Sequence, residues 1–296
     1  MITPQLTELL CCPRCKTSLI QKIENNEGTS FECKTCSTIY PIKDGAPDFR
    51  ITPNNKEQFK AWSGTQIKFE AFIIHYDIKQ AKLDDILNNE IYKQIELQGK
   101  VLDVGGSQGF LRNHLSINSE YICIDPWPGS KKDALRLSEN EGFLTLYPFL
   151  KEDYDFIIGL GEALPLSSGS FDWVHIRSVL DHVYDPLVVL IEANRVLVND
   201  GQLLINLTLT DGPKVIISSQ PNLFYRAYRK LKTEGTTSFI RKIFDYLHGE
   251  DTDHIHHPTS KEVISLVEDA GFKNINSKWI SDTTGIEGDF LLTATK

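Results

Sequence analysis

No stretch of this chain approaches the roughly 20 consecutive apolar residues that a membrane-spanning helix needs. The start, Met1-Ile-Thr-Pro-Gln5, lacks the basic region followed by an apolar one that marks a secretory signal, so a cytoplasmic location is expected. There is no internal repeat and no low-complexity segment. Positive charge is in deficit, with 31 Lys and Arg against 40 Asp and Glu. The net charge of −9 argues against a protein that wraps nucleic acid nonspecifically, while leaving room for a local basic patch. Cysteine is nearly absent from the long C-terminal part, where Cys123 stands alone in an apolar, strand-like run. What remains is ordinary globular material, 41% hydrophobic and 24% charged over 296 residues. That length suits one large domain, or a core domain with an appendage, and needs no staples.

The other five cysteines precede residue 37, and four of them form two pairs. Cys12-Pro-Arg-Cys15 and Cys33-Lys-Thr-Cys36 have the spacing C-x2-C-x17-C-x2-C. Two thiolates on one tight knuckle can point at one ion, and two knuckles supply the four-sulfur tetrahedral shell that zinc favours. A reducing compartment favours this over disulfides, and a closed four-sulfur site is structural rather than catalytic. A short strand and an Asp-Gly turn follow in Tyr40-Pro-Ile-Lys-Asp-Gly-Ala-Pro47. Over about residues 6–50 the chain resembles the Trm112-like zinc-ribbon family, whose module assists methyltransferases. The ribbon is expected to span 1–52.

Residues 53–98 carry Phe59, Trp62, Phe69, Phe72, Ile73, Tyr76, Leu83, Ile86 and Leu87 at helical spacing, which predicts helices that link the ribbon to the core and cover a bound cofactor. From Lys100 strands and helices alternate. Strands are expected at 101–104, 121–125, 156–159, 173–177 and 202–207, with helices near 109–116 and 130–141. Another helix opens at Asp185-Pro186, Asp as cap and Pro at the first helical position. Thr259-Ser-Lys-Glu262 reads as a capping box, and strands at 272–275 and 289–295 complete a parallel α/β sheet with helices on both faces.

Val101-Leu-Asp-Val-Gly-Gly-Ser-Gln-Gly-Phe110 ends a buried strand in an acid, then a glycine turn, then a helix start. Such a turn suits a ligand with an anionic and a cationic end. The nicotinamide fingerprint fails, because Ser107 and Phe110 occupy glycine positions, and no P-loop Gly-Lys-Ser/Thr is present. Asp125 ends the next strand, where a carboxylate can hold ribose hydroxyls. A simple helix N-cap role for Asp125 is the plainer alternative.

Gly161-Glu-Ala-Leu-Pro-Leu-Ser-Ser-Gly-Ser-Phe-Asp172, then Asp181-His-Val-Tyr-Asp-Pro186, then Glu192-Ala-Asn-Arg-Val-Leu197 stand in order after D-x-G-x-S-x-G. Together they resemble the class I S-adenosylmethionine-dependent methyltransferases of type 11, over residues 99–210 and again 259–296. The resemblance implies a doubly wound, mostly parallel seven-stranded Rossmann-like sheet over 99–296, with a lid-like insertion at 211–258. It implies S-adenosylmethionine as cofactor beside a structural zinc. Asp103, Gly105, Ser107 and Gly109 would line its methionine end and Asp125 its ribose. Glu162 and Ala163 would flank the adenine, and Arg177 and Ser178 would face the methyl group. Leu160 departs from the family, which often has an acid there for the adenine amino group.

Methyl transfer from a sulfonium is an in-line displacement that needs orientation and exclusion of water. A hydroxyl or protonated amine also needs a base, so His182, His254 and His257 are the catalytic candidates. A packing role for His182 is the alternative. The insertion interleaves aromatic and basic residues, which reads either as a solvated helical lid or as a grip on an anionic substrate. Tyr225, Arg226 and His256 are the substrate-binding candidates. The expected reaction is O- or N-methylation of a small-molecule or saccharide acceptor. An rRNA or tRNA methyltransferase and a catalytically silent partner protein are the alternatives.

Overall fold

The computed structural model describes residues 2–24, 28–51, 77–212, 255–280 and 289–296. Its larger sheet has seven strands: β5 (Lys100–Val104), β6 (Glu120–Asp125), β7 (Asp155–Ile158), β8 (Phe171–Arg177), β9 (Leu197–Thr208), β10 (Lys273–Ile280) and β11 (Asp289–Thr295). Their order is β10-β11-β9-β8-β5-β6-β7. The five central and edge strands from β9 to β7 pair in parallel, and β11 lies antiparallel between β9 and β10. Near-continuous apolar runs such as Phe156-Ile-Ile158 suit strands covered on both faces. The chain runs from β5 outward through β6 to β7, then returns to β8 and β9 on the other side. That reversal opens a crevice at the carboxyl ends of β5 and β8.

The helices among the described residues are α1 (Pro4–Leu9), α2 (Ile78–Tyr92), α3 (Ser130–Leu137), α4 (Glu141–Leu146), α5 (Pro186–Val196) and α6 (Ser260–Asp269). Their starts follow side-chain capping. Asp77 accepts from the amides of Lys79 and Gln80, Asp185 from Val188, and Thr259 and Glu262 form the reciprocal box. Two expected helices differ. The segment after the glycine turn is a short 3-10 helix, Phe110–His114, because Leu115 is drawn back to extended backbone by its bridge to Leu97. The segment 130–141 ends early at Leu137, and Asn140 starts α4 by accepting from the Gly142 amide. Strand β9 is longer than the 202–207 expected.

The N-terminal strands β1 (Leu19–Glu24), β2 (Gly28–Cys33), β3 (Ile39–Lys43) and β4 (Ala46–Pro47) form an antiparallel ribbon. Asp44 and Gly45, at φ 50° and 80°, make the two-residue turn between β3 and β4. The ribbon then runs onto the edge of the large sheet. Asp48 pairs in parallel with Ile158 of β7, and the Phe49 amide donates to the Ile158 carbonyl at 2.7 Å. The pairing covers part of a sheet edge that would otherwise present open backbone groups. Leu6, Leu10, Phe31, Tyr40 and Phe49 share one apolar cluster with Ile157, Leu164 and Leu166. Buried charge crosses the same seam: Lys16 reaches Glu192 at 2.6 Å, and Glu192 also accepts from Arg195 at 2.7 Å.

Candidate active site

The glycine turn lies at the switch-point crevice. Gly105 has φ 73°, and a Cβ there would fall 2.3 Å from Val179 Cγ2. At Gly106 a Cβ would fall 2.2 Å from Asp103 Oδ2. Only glycine therefore lets the turn fold back over the Asp103 carboxylate. Arg112 fixes the far side of the turn. Its guanidinium lies over the rings of Phe149 and Tyr154, and it donates to the Gly109 carbonyl.

A cavity of about 320 Å³ opens beside this turn. Asp84, Asn88 and Tyr92 line it from one stripe of α2, at i, i+4 and i+8. Asp103, Gly105, Ser107, Gln108, His114, His175, Arg177 and Ser178 line it from the sheet side. Asp103 and His175 are direct neighbours on β5 and β8. Asp103 Oδ1 lies 2.7 Å from His175 Nδ1, and Asp103 Oδ2 accepts from the Tyr121 hydroxyl at 2.7 Å. His175 Nε2 lies 2.8 Å from the Tyr92 hydroxyl. The Tyr92 ring stacks on His114 with centroids 4.5 Å apart. Arg177 donates to the Asn88 side-chain oxygen.

Three buried side-chain atoms that line this cavity have no hydrogen-bond partner: Ser107 Oγ, Gln108 Nε2 and His114 Nε2. Buried polar atoms are normally paired, so an unpaired hydroxyl, amide and ring nitrogen on three residues of one cavity lining favour a polar ligand there. Burial first, then the Arg177 and His175 charges, push the His114 pKa down to about 4. Its ring is neutral at pH 7 and offers one nitrogen as an acceptor.

Of the residues singled out in the sequence, Asp103, Gly105, Ser107, Arg177 and Ser178 line the cavity together. Gly109 begins the 3-10 helix just beyond it. Asp125 stands at the end of β6, behind the turn. It accepts from the Ser107 amide at 3.1 Å and the Trp127 amide at 2.8 Å, and burial pushes its carboxyl up to about 7. Glu162, like Asp125, does not line the cavity: it accepts from the amides of Tyr184 and Asp185 at 2.9 and 3.4 Å, and burial pushes it up to about 7. It thus anchors the turn before α5, with Ala163 next to it in a short 3-10 segment. His182 lies beside Asp181, and His256 lies 2.9 Å from the Val183 carbonyl through Nε2; neither they nor His257 line the cavity. Tyr225, Arg226 and His254 lie outside the described residues. The sequence reading missed His114, His175, Tyr92, Asn88 and Arg112. For His175 a signal existed: one strand position of β8 carries an imidazole between Val174 and Ile176, both fully buried.

The four paired cysteines converge as their spacing predicts. Each knuckle repeats one geometry, with the Lys16 amide donating to the Cys12 carbonyl and the Ser37 amide to the Cys33 carbonyl, both at 2.8 Å. Lys16 and Ser37 both take positive φ, 56° and 57°. The sulfurs lie within 4.8 Å of one another, with neighbours at 3.5, 3.6 and 3.7 Å. A tetrahedral zinc with sulfur at about 2.3 Å sets sulfur–sulfur edges of about 3.8 Å, so the cluster fits that ion. The Tyr40 hydroxyl, 3.2 Å from Cys12 Sγ, is placed to donate to a thiolate.

Residues 102–205 match the family model of a methyltransferase domain, and residues 3–45 match that of Trm112p-like proteins. A UPF0434 protein of Nitrosococcus oceani is 46% identical over 43 residues, which are 14% of this chain and 68% of that protein. The structure of 1,6-didemethyltoxoflavin-N1-methyltransferase from Burkholderia thailandensis, with 1,6-didemethyltoxoflavin and S-adenosylhomocysteine bound, is similar at a TM-score of 0.50. Identity there is 13%, over 87% of this chain and 95% of that one. A Thermotoga maritima S-adenosylmethionine-dependent methyltransferase, described as a possible histamine N-methyltransferase, aligns at a TM-score of 0.48 and 17% identity, over 81% and 99% of the two chains.

Proposed function

We propose that this chain, which belongs to the class I S-adenosylmethionine-dependent methyltransferases and carries a Trm112p-like ribbon, methylates an oxygen or nitrogen of a small acceptor. The observation that carries the reading is the cavity at the switch point, with three unpartnered polar atoms around a glycine turn. Its volume is at the lower end of the range for small-molecule sites. Among the described residues lining it, Arg177 is the one Lys or Arg side chain, and it is tied to Asn88, whereas a phosphate track uses several open basic groups; on those residues a small acceptor fits better than RNA.

S-adenosylmethionine, when bound, supplies an electrophilic methyl group on a sulfonium sulfur. The turn at Gly105–Gly109 would hold its amino-acid end. Asp125 would accept from its ribose hydroxyls, using lone pairs that the Ser107 and Trp127 amides leave open. Arg177 and Ser178, at the carboxyl end of β8, would border the reacting group, and α2 would close the cavity against water. The four cysteines would hold one structural zinc ion.

Calorimetric titration with S-adenosylhomocysteine tests the donor site, and labelled S-adenosylmethionine incubated with extracts finds the acceptor by mass spectrometry. Asp125→Ala should weaken binding by roughly 100-fold, the scale of charge-assisted hydrogen bonds lost to two hydroxyls. Unchanged affinity in that variant would remove the ribose role. Label appearing only in RNA would replace the small acceptor.

A further inference from the structure

Past its last strand the ribbon reaches the ligand-binding edge of the large sheet. Asp48 pairs in parallel with Ile158, so the chain leaves that pair in the direction of β7 and brings Arg50 to the carboxyl ends of the strands. The next strand inward is β6, which ends at Asp125. Three backbone segments stand side by side there. The Phe49 amide donates to the Ile158 carbonyl at 2.7 Å, and the Gly159 amide donates to the Asp125 carbonyl at 3.1 Å. Arg50 crosses from the first segment to the loop after the third, where its Nη1 donates to the Pro126 carbonyl at 3.3 Å.

The guanidinium is aimed from behind. Its Nε and Nη2 form a fork on the Asp48 carboxylate at 2.9 and 2.7 Å, and the Arg50 amide donates to the same carboxylate at 3.2 Å. Burial would raise the Asp48 carboxyl, but the bonds from Arg50 and Lys43 hold it below the ordinary range. A planar fork fixed at one end leaves Nη1 little freedom at the other. The carbonyl it reaches belongs to the peptide unit between Pro126 and Trp127, and the N–H of that same unit donates to the Asp125 carboxylate at 2.8 Å. A peptide unit is planar, so holding its carbonyl also fixes the direction of its N–H. On the far side of the loop the Trp127 indole donates to Asp133 of α3 at 2.9 Å.

We propose that Arg50 is a positioning residue for donor binding: by holding the Pro126–Trp127 peptide plane, it sets how Asp125 presents its carboxylate. Asp48 orients Arg50 in turn. The inference rests on the proposed ribose role of Asp125 and adds two residues, from beyond the methyltransferase motifs, on which that role depends. Arg50 acts through Asp125, so its effect exists only while the carboxylate is there.

A double-mutant cycle tests this by calorimetric titration of the zinc-loaded full chain with S-adenosylhomocysteine. Arg50→Ala should weaken binding by roughly fivefold, the scale of coupling within one hydrogen-bond network. Arg50→Lys keeps a cation beside Asp48 but has no fork to hold two groups at once, so it should weaken binding about as much. In the Asp125→Ala background either change at position 50 should leave affinity within about twofold. Weakening of equal size in both backgrounds would mean that Arg50 supports the fold at large, and it overturns the inference. Wild-type affinity in Arg50→Lys would mean that charge beside Asp48 is enough, and it does the same. So does unchanged affinity in Arg50→Ala. In these three cases the ribose role of Asp125 stands. If Asp125→Ala alone binds as wild type does, the ribose role and this inference fall together.

Discussion

The four-cysteine cluster and the switch-point cavity are both incomplete by themselves, and they are assembled in opposite ways. The cluster's ligands lie within a sequence separation of 24, on two knuckles of the same geometry. The cavity's come from between Asp84 and Ser178, on α2, β5, β8, the glycine turn and the 3-10 helix. A site made by local backbone geometry depends on its ion to hold the knuckles together. A site made by packed elements is held by the core and loses only affinity when one member changes. Damage to the ribbon site should therefore appear as lost stability, and damage to the cavity as lost binding.

The largest effect expected is on the ribbon. Chelation, or Cys33→Ser, should lower Tm by roughly 10 °C or more, because structural zinc binding is folding free energy and the ribbon shares its apolar cluster with the sheet. Thermal melts with metal analysis measure this. A melting curve indifferent to chelator, on protein shown to have carried zinc, would break the contrast, since the cluster would then be as independent of its ligand as the cavity.

The same distinction decides what was legible in the sequence. Knuckle spacing, the Asp-Gly hairpin, the Asp185 cap and the Thr259–Glu262 box are local rules, and each appears where the residues placed it. The parallel sheet followed from alternation of apolar strands and helices, which is local too. Glu162 was expected at the adenine from its place in a motif, and the motif does not show that its carboxylate also accepts from the amides of Tyr184 and Asp185. His175 becomes a neighbour of the glycine turn only through strand order, and Tyr92 only through the packing of α2 against the cavity. No spacing along one segment encodes that. The short 3-10 helix has the same origin, since its end is set by a bridge to Leu97.

A middle-sized effect tests the seam between the two regions. Glu192 is buried under Lys16 and Arg195, whose hydrogen bonds overcome the burial that would raise its carboxyl and leave it below the ordinary range. A depressed acid stabilises the fold above its unfolded pKa and loses that contribution as pH falls through the folded one. Glu192→Ala should cost about 2 kcal/mol near pH 7, and less at pH 3, by denaturant titration. The exposed pair Lys132–Asp44 spans the same two regions, yet Lys132→Ala should change stability by about 0.5 kcal/mol or less. Equal costs would mean that the seam is held by general charge attraction rather than by the buried contacts.

A pH slope in binding, smaller than the cost expected at Glu192, belongs to the cavity's neighbour, Asp125. Burial pushes its carboxyl up to about 7, with the Ser107 and Trp127 amides opposing and the Asp103 charge adding. The folded chain therefore holds this proton more tightly than the unfolded chain, whose carboxyl ionises near pH 4. Stability contributed by this group falls as pH rises from about 4 to about 7. Binding follows the opposite sign, because the ribose hydroxyls need the ionised carboxylate as acceptor. About nine-tenths of the group is ionised at pH 8 and about one-tenth at pH 6. Affinity for S-adenosylhomocysteine should thus be roughly tenfold weaker at pH 6, about 1.4 kcal/mol. Asp125→Asn should bind more weakly at pH 8 and show no such slope. Glu162 ionises in the same range but is engaged by backbone amides, so a slope that survives in Asp125→Asn and disappears in Glu162→Gln would assign it to the turn before α5. In that case the motif's acid acts on binding through packing, and the separation of stability from affinity drawn for these two regions would not hold at the cavity's rim.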